Sequence, residues 1–162
     1  MSIASPTAKL IRVAMSGIGY AAGDEVLETL LGSCLGIAIW CPISKRGGLA
    51  HAMLPDSLGH QTMPGRFIDT AIPVMLQELE SHGAKRRCLV AKLCGGANMF
   101  PTQGKGLDVG QRNHAAAKEL LASLRIPVQG EHVGGGAGRV IRFDVSDGSI
   151  QVQVGRQIVA TI

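Results

Sequence analysis

Two residues that can do covalent chemistry together, Cys34 and His51, stand in neighbouring apolar segments of the chain. Cys34 follows the Gly-Ser pair at 32–33, and His51 follows the glycine pair at 47–48. A thiol is a good nucleophile only as the thiolate, and a nearby imidazole can take its proton to give an ion pair. The pair therefore predicts acyl transfer on an amide, ester or thioester. A buried structural cysteine is the alternative, because free cysteines are often buried.

The segment between these two residues is rich in turn-forming residues and predicts a hairpin. If Cys34 pairs with His51, the midpoint of the hairpin falls between Pro42 and Ile43. Directly opposed residues of antiparallel strands have Cβ atoms about 4.5–5.5 Å apart, which brings the sulfur to the ring. A turn centred one or two residues later makes the pair diagonal, which is still within reach of a histidine.

Backbone groups next to the cysteine are candidates for stabilising a negative charge. The glycine at position 32 lets the chain bend, and a bend leaves backbone N–H groups without partners. Such groups stabilise the oxyanion that forms when sulfur attacks a carbonyl carbon. We therefore expect an oxyanion hole built from backbone N–H groups between Ser33 and Leu35.

A third side chain is expected to orient the imidazole of His51. Side chains alternate between the two faces of a strand. Counting back from Cys34, this alternation predicts Glu28 on the face of the cysteine and Thr29 on the opposite face. Glu28 is therefore the candidate for the third catalytic residue. Two alternatives stay open, which are Thr29 in that role and a Glu28 that is simply solvated.

No metal or organic cofactor is predicted. The other three cysteines form no C-x-x-C pair, which is the spacing typical of structural zinc sites. The glycine loops at 95–96 and 134–138 match no phosphate-binding motif, and we expect them to permit tight turns beside the active site. His132, just before the second loop, is a candidate for lining a pocket.

The composition indicates one globular domain spanning residues 1–162, with 46% hydrophobic and 17% charged residues. The net charge of +4 is mild and aromatic residues make up only 3%, so nucleic-acid binding is not expected. No apolar run approaches the length of about 18 residues that a membrane span needs. We expect a cytoplasmic protein with reduced thiols and no membrane insertion.

The hydrophobic patterns predict many strands and two helices in irregular order. Strands are expected at 11–14, 26–31, 35–40, 49–54, 88–93 and 128–133, with a hairpin of 140–145 and 150–154. Helices are expected over 67–82, kinked or restarted at Pro73, and from an N-cap at Asp108 to about Leu124. This order favours an α+β fold with a largely antiparallel or mixed sheet and helices packed outside it.

The chain also resembles the chemoreceptor glutamine deamidases of the CheD family. The likeness is carried by LLGSC at 30–34 and GGLAHAMLP at 47–55. It continues, in the order of the family, in blocks that cover nearly the whole chain: 66–69, 91–93, 95–97, 110–113, 134–135 and 138–139.

This resemblance implies an enzyme that converts glutamine side chains of methyl-accepting chemotaxis receptors to glutamate and releases ammonia. It implies Cys34 as the nucleophile and His51 as the base. It also implies a β-sandwich flanked by helices, similar to the catalytic domain of the cytotoxic necrotizing factors. In some bacteria the partner of the family is CheC, a phosphatase of the response regulator CheY.

The chain departs from the family pattern at two positions. Glu28 stands where the family often has threonine, with Thr29 beside it, and His132 replaces an aspartate. A protein substrate needs an open groove, and the loops at 56–65 and 95–106 are candidate walls for it. Two other functions remain as alternatives: a Cys-His peptidase or transamidase, and a non-catalytic module that binds chemotaxis proteins.

Overall fold

The computed structural model describes residues 8–60, 62–99 and 108–162. Within these ranges the chain forms ten strands and two α-helices. In chain order they are β1 Leu10–Arg12, β2 Ile18–Ala22, β3 Val26–Leu31, β4 Leu35–Cys41, β5 Arg46–Ala52, α1 Ile68–Ser81, β6 Val90–Gly95, α2 Val109–Ser123, β7 Val128–Val133, β8 Arg139–Asp144, β9 Ile150–Val154 and β10 Gln157–Thr161. Two short 3-10 turns, Pro64–Arg66 and Arg86–Cys88, precede α1 and β6 respectively.

The strands form two five-stranded sheets. One has the order β1-β3-β8-β9-β10 and the other has the order β2-β5-β4-β6-β7. Within both sheets the pairs are antiparallel except β1 with β3 and β6 with β7. The predicted α+β class with a mostly antiparallel sheet is therefore confirmed. The chain crosses from the first sheet to the second between β3 and β4, at the turn that carries Cys34.

Two hydrophobic cores show how the layers are stacked. The first core lies between the two sheets, and its buried side chains come from both of them: Leu27, Leu31, Ala38, Leu49, Cys94, Ile141, Phe143, Ile150 and Val152. The second core lies between the β2-β5-β4-β6-β7 sheet and the helices, with members that include Ile37, Ile39, Ala50, Ile72, Met75, Leu76 and Leu121. The second sheet is thus the middle layer, which explains the continuous apolar sequence of β4.

Helix α1 runs through Pro73, which neither ends nor restarts it. A proline inside a helix loses one backbone hydrogen bond and costs roughly 3 kcal/mol. The helix tolerates this cost because one whole face is buried against the middle sheet, including Ile72, Met75 and Leu76. The predicted helix over 67–82 is confirmed, without a new start at Pro73.

Helix α2 begins at the predicted cap. The side chain of Asp108 accepts a hydrogen bond from the backbone N–H of Gln111, and the Gln111 side chain accepts one from the backbone N–H of Asp108. This reciprocal capping box satisfies two N–H groups that a helix start otherwise leaves unpaired. It fixes the position at which α2 enters the molecule.

Among the residues that the structure describes, no helix is long and apolar enough to cross a membrane.

Candidate active site

The predicted hairpin is present as β4 and β5, and its turn is centred one residue later than direct pairing of Cys34 with His51 requires. Gly36 lies directly opposite His51, and Leu35 lies opposite Ala52. Cys34 therefore stands just before β4, diagonal to His51 across the hairpin. Diagonal neighbours have Cα atoms about 7–8 Å apart, with their side chains closer than that. Cys34 is half-buried and packs against the core between the sheets.

The imidazole of His51 lies between the two sheets, and it is only 4% exposed. Its Nδ1 atom is 2.8 Å from the hydroxyl oxygen of Thr29, which comes from β3 of the facing sheet. The Thr29 hydroxyl donates its hydrogen to the backbone oxygen of Val13, at 2.8 Å. A hydroxyl has one hydrogen to donate, so the Thr29 oxygen must accept from Nδ1. The neutral imidazole therefore carries its hydrogen on Nδ1 and an unshared electron pair on Nε2.

The Nε2 atom of His51 is buried and has no hydrogen-bond partner within the described ranges. A buried acceptor without a partner is costly, so its retention is typical of a functional site. With Nδ1 held by Thr29, Nε2 is the nitrogen left to take a proton from a thiol. The Cys34 sulfur is therefore not hydrogen-bonded to Nε2 in this structure. Hydrogen bonds between catalytic groups are often long in free enzymes and tighten only when substrate binds.

Glu28, the sequence-based candidate for the third residue, is not brought to the imidazole. Its two carboxylate oxygens lie 3.3 Å from Arg12 Nε and 2.7 Å from Arg142 Nε, which belong to the neighbouring strands of its own sheet. Alternation within β3 is regular, but it cannot be continued through the turn at 32–34, where the chain changes sheets. Thr29 therefore contacts His51, and the predicted faces of Glu28 and Thr29 are corrected.

Burial shifts both reactive groups towards their neutral forms. It raises the pKa of the Cys34 thiol and lowers the pKa of the His51 imidazole. A thiolate–imidazolium ion pair is thus disfavoured before substrate binds. The arrangement suits proton transfer from the thiol to Nε2 during the attack itself.

These shifts predict how activity depends on pH. Since burial lowers the pKa of His51 below its ordinary 6.5, the imidazole becomes protonated only at more acidic pH. We expect kcat/KM for an amide substrate to stay high through pH 6.5 and to fall below it. The measurement is the pH profile of kcat/KM, with KM recorded separately. An acid limb centred at or above 6.5 contradicts the burial of a neutral base.

Two glycines at the end of β6 support the turn of the cysteine. The N–H of Gly96 donates to the backbone oxygen of Cys34 at 2.9 Å, and the N–H of Ala97 donates to Gly32 at 3.0 Å. Gly95 has a φ of 95°, and a Cβ atom there would lie 2.5 Å from the Cys34 oxygen. As expected, this loop needs glycine, and it lies against the segment that carries Cys34.

Replacing Gly95 with alanine should destabilise the fold and displace Cys34. We expect a loss of about 2 kcal/mol or more in the free energy of unfolding, from the positive φ and the contact with the Cys34 oxygen. Gly83→Ala is the matched control, because Gly83 has a φ of 92° and a Cβ atom added there would meet nothing within 4 Å. Urea denaturation of both variants isolates the contact, and equal losses contradict it.

The second glycine loop is joined to the first. Gly134 donates to the backbone oxygen of Gly95 at 2.9 Å, and Asn98 donates to Gly135 at 2.8 Å. The buried guanidinium of Arg139 donates to the Nδ1 and backbone oxygen of His132 and to the backbone oxygen of Gly134. His132 therefore takes part in the hydrogen bonds through which Arg139 holds this loop.

The proposed oxyanion donors differ in their surroundings. Among the described residues, neither the N–H of Ser33 nor that of Cys34 donates a backbone hydrogen bond. Leu35 already lies in the middle sheet, opposite Ala52 on one side and Gly95 on the other. Ser33 and Cys34 thus offer N–H groups that no backbone oxygen of the described residues occupies.

The loop at 56–65 encloses a cavity of about 350 Å³. Its walls are Leu54, Asp56, Ser57, Leu58, His60, Thr62, Met63, Arg66 and Phe67. The carboxylate of Asp69, in the first turn of α1, anchors the loop by accepting from the N–H and hydroxyl of Ser57 at 3.0 and 2.9 Å. Of the other expected wall, residues 100–106 lie outside the described ranges.

The chain is similar to one protein family and to named relatives within it. The family model described as CheD chemotactic sensory transduction matches residues 53–154. A protein of Methanococcus maripaludis strain C5, named "Probable chemoreceptor glutamine deamidase CheD", is 39% identical over 92% of this chain and 97% of its own length. A protein of the same name from Clostridium botulinum strain Hall is 43% identical over 80% of this chain and 83% of its own.

Among solved structures, the crystal structure of the Bacillus licheniformis hypothetical protein YfiH aligns with a TM-score of 0.45 and 14% identity, over 72% of this chain and 49% of that one. The family model matches more than half of this chain, and the two relatives align over most of it and most of their own length. The protein therefore belongs to the CheD family.

Proposed function

We propose that this protein is a protein-glutamine deamidase, which hydrolyses the side-chain amide of selected glutamines in methyl-accepting chemotaxis receptors to glutamate and ammonia. Membership of the family supports the reaction and its receptor substrate, since the relatives carry that activity in their names. The observation that carries the proposal is the Thr29–His51 hydrogen bond, because it leaves Nε2 of the imidazole unpartnered, within the described ranges, beside the turn of Cys34.

In the first step, the Cys34 sulfur attacks the amide carbon of the glutamine while Nε2 of His51 takes the thiol proton. A carbon–sulfur bond forms, and the electron pair of the C=O bond moves to oxygen. The N–H groups of Ser33 and Cys34 are the proposed donors to this oxyanion. The negative charge is therefore met by backbone groups that no other backbone acceptor of the described residues occupies.

In the second step, the oxyanion collapses and the carbon–nitrogen bond breaks. His51 returns its proton to the departing nitrogen, which leaves as ammonia, and a thioester on Cys34 remains. His51 then accepts a proton from water, whose oxygen attacks the thioester carbon. The carbon–sulfur bond breaks, His51 gives its proton to the departing sulfur to restore the thiol, and the product is glutamate.

Three further elements belong to the same proposal. CheC is the proposed partner, with a link through it to the CheY system, and the cytoplasm is the proposed compartment. The proposed likeness to the catalytic domain of the cytotoxic necrotizing factors is supported by two stacked sheets with helices on one side. Co-purification with CheC tests the proposed partner. Superposition on the toxin domain tests the proposed likeness of fold.

The test of the function is mass spectrometry of purified receptor fragments after incubation with the protein. We expect a gain of about one mass unit at particular glutamines, with an equal amount of ammonia released, since hydrolysis replaces an amide nitrogen with oxygen. New N-termini would indicate a peptidase, and amine-linked glutamines would indicate a transamidase. Binding of the fragments with no change in mass would indicate a non-catalytic module and overturn the proposal.

A further inference from the structure

A buried asparagine contacts both of the segments that carry Cys34 and His51. Asn113 lies on α2 and is 0% exposed. Its side-chain Nδ2 donates to the backbone oxygen of Met53 at 3.0 Å and to that of Ser33 at 3.5 Å. Met53 follows the β5 strand of His51, and Ser33 immediately precedes Cys34. One amide group thus joins the two ends of the catalytic hairpin.

The position of Asn113 is set by backbone contacts at the start of α2. A Cβ atom on Gly110 would lie 2.3 Å from the backbone oxygen of Gly96, so the first turn of the helix packs directly on that loop. Gly96 is the residue whose N–H holds the Cys34 oxygen. The capping box of Asp108 and Gln111 stabilises the same first turn of α2. These contacts fix the start of α2 and so place Asn113 against the cysteine turn.

The contact with Ser33 has a consequence for the next residue. In a trans peptide, the C=O of one residue and the N–H of the next point in opposite directions. When the Ser33 oxygen is turned towards Asn113, the N–H of Cys34 is turned away from α2. That N–H donates no backbone hydrogen bond among the described residues. The Cys34 N–H is thus oriented away from α2, and no backbone acceptor of the described residues competes for it.

We propose that Asn113 is a positioning residue that holds the Ser33–Cys34 peptide with the Cys34 N–H directed at the developing oxyanion. The inference rests on the proposed amide hydrolysis and extends it to the residue that orients an oxyanion donor. Packing alone is a poor reason for an asparagine here. Its Oδ1 atom is buried with no partner within the described ranges, and an apolar side chain would avoid that loss.

The test separates reactions that form an oxyanion from one that does not. Alkylation of Cys34 by iodoacetamide is a displacement at a saturated carbon and needs no oxyanion donor. Deamidation needs one, and so does capture of a glutamine-mimicking peptide aldehyde as a hemithioacetal. For Asn113→Ala we expect kcat to fall about 10- to 100-fold with KM changed less than about 3-fold. Aldehyde affinity should fall by a similar factor, while the alkylation rate stays within about 2-fold of the wild type.

Leu121→Ala is the matched control, because Leu121 is also 0% exposed on α2 but its side chain has no polar atom with which to hold either catalytic segment. It should lower the unfolding temperature and leave kcat unchanged wherever the protein is folded. If Asn113→Ala does not fold, Asn113→Asp keeps the size, removes the amide donor and is measured in its place. An unchanged kcat, or alkylation that falls in parallel with deamidation, overturns the inference.

The two proposals fail in different ways. If the wild-type protein deamidates receptor fragments and Asn113→Ala does so equally well, only the role of Asn113 is lost. If the wild type deamidates no fragment but binds the aldehyde more tightly than the variant does, the role of Asn113 stands and the amide substrate is wrong.

Discussion

Replacing Cys34 with serine should reduce deamidation of receptor fragments by at least about 10³-fold, because an unactivated hydroxyl is a far weaker nucleophile than sulfur. The fold should be unaffected, since Cys34 is half-buried and serine is slightly smaller. The measurement is the initial rate of ammonia release together with the mass of the receptor peptides. Binding of the receptor fragment should persist, which identifies the loss as one of chemistry.

Cys88 supplies the control for this experiment. It is also a half-buried free thiol, but it lies in the 3-10 turn that precedes β6 and belongs to neither segment of the catalytic hairpin. Cys88→Ser should keep the wild-type rate within about 2-fold, because the residue lies outside both segments of the catalytic hairpin. A Cys34→Ser variant that deamidates at the wild-type rate contradicts the assignment of the nucleophile.

The hairpin could be predicted because its sequence is locally consistent. A turn-rich segment lies between two apolar runs, and that pattern limits the register to a few choices. The turn is centred one residue later than direct pairing requires, so Gly36, two residues after Cys34, lies opposite His51. A Cβ atom on Gly36 would lie 2.8 Å from a side-chain carbon of Leu31 in the facing sheet. Because Gly36 has no side chain, the two sheets can pack closely next to His51. The contact joins residues of different sheets, so no local pattern in the sequence predicts it.

Two strands escaped prediction for physical reasons. Strand β2, IGYAA, carries little branched aliphatic sequence, and it is held by its antiparallel pairing with β5. Strand β10 is an edge strand, and most of its residues are exposed, so it lacks the alternating burial from which strands are predicted. Tertiary pairing decides both, and propensity does not.

The position of Asn113 at the site could not be predicted from the sequence. Its neighbours in the chain place it on a helix, and a polar residue on a helix is normally assigned to the solvent face. The close approach of Gly110 to Gly96 brings this position to the cysteine turn. A residue that acts on backbone groups distant in the chain leaves no local pattern.

The third residue of the site is tested by comparing two adjacent positions of β3. Thr29→Val removes the acceptor for Nδ1 of His51 with almost no change in side-chain shape. The imidazole can then adopt the tautomer with hydrogen on Nε2, which cannot accept the thiol proton. We expect kcat/KM to fall about 10- to 100-fold, less than the roughly 10⁴-fold loss when a triad aspartate is replaced and the wrong tautomer results.

Thr29→Val also leaves the backbone oxygen of Val13 without its donor, which should cost about 1–3 kcal/mol of stability. Thr29→Ser keeps the hydroxyl and should retain both activity and most of the stability, so it separates the hydrogen bond from the methyl group. NMR of the ring nitrogens of His51 gives an independent measurement. Nε2 should be unprotonated in the wild type, and the tautomers should be mixed in Thr29→Val.

Glu28→Gln is the matched variant at the neighbouring position. It weakens the pairing with Arg12 and Arg142 on the outer face of the sheet, and such partly exposed ion pairs contribute about 0–1 kcal/mol. We expect kcat/KM within about 2-fold of the wild type and an unchanged His51 tautomer. A large loss of activity in Glu28→Gln with none in Thr29→Val would reverse the assignment. In that case the carboxylate would have to reach the imidazole through a rearrangement of β3, because the two now lie on opposite sides of its sheet.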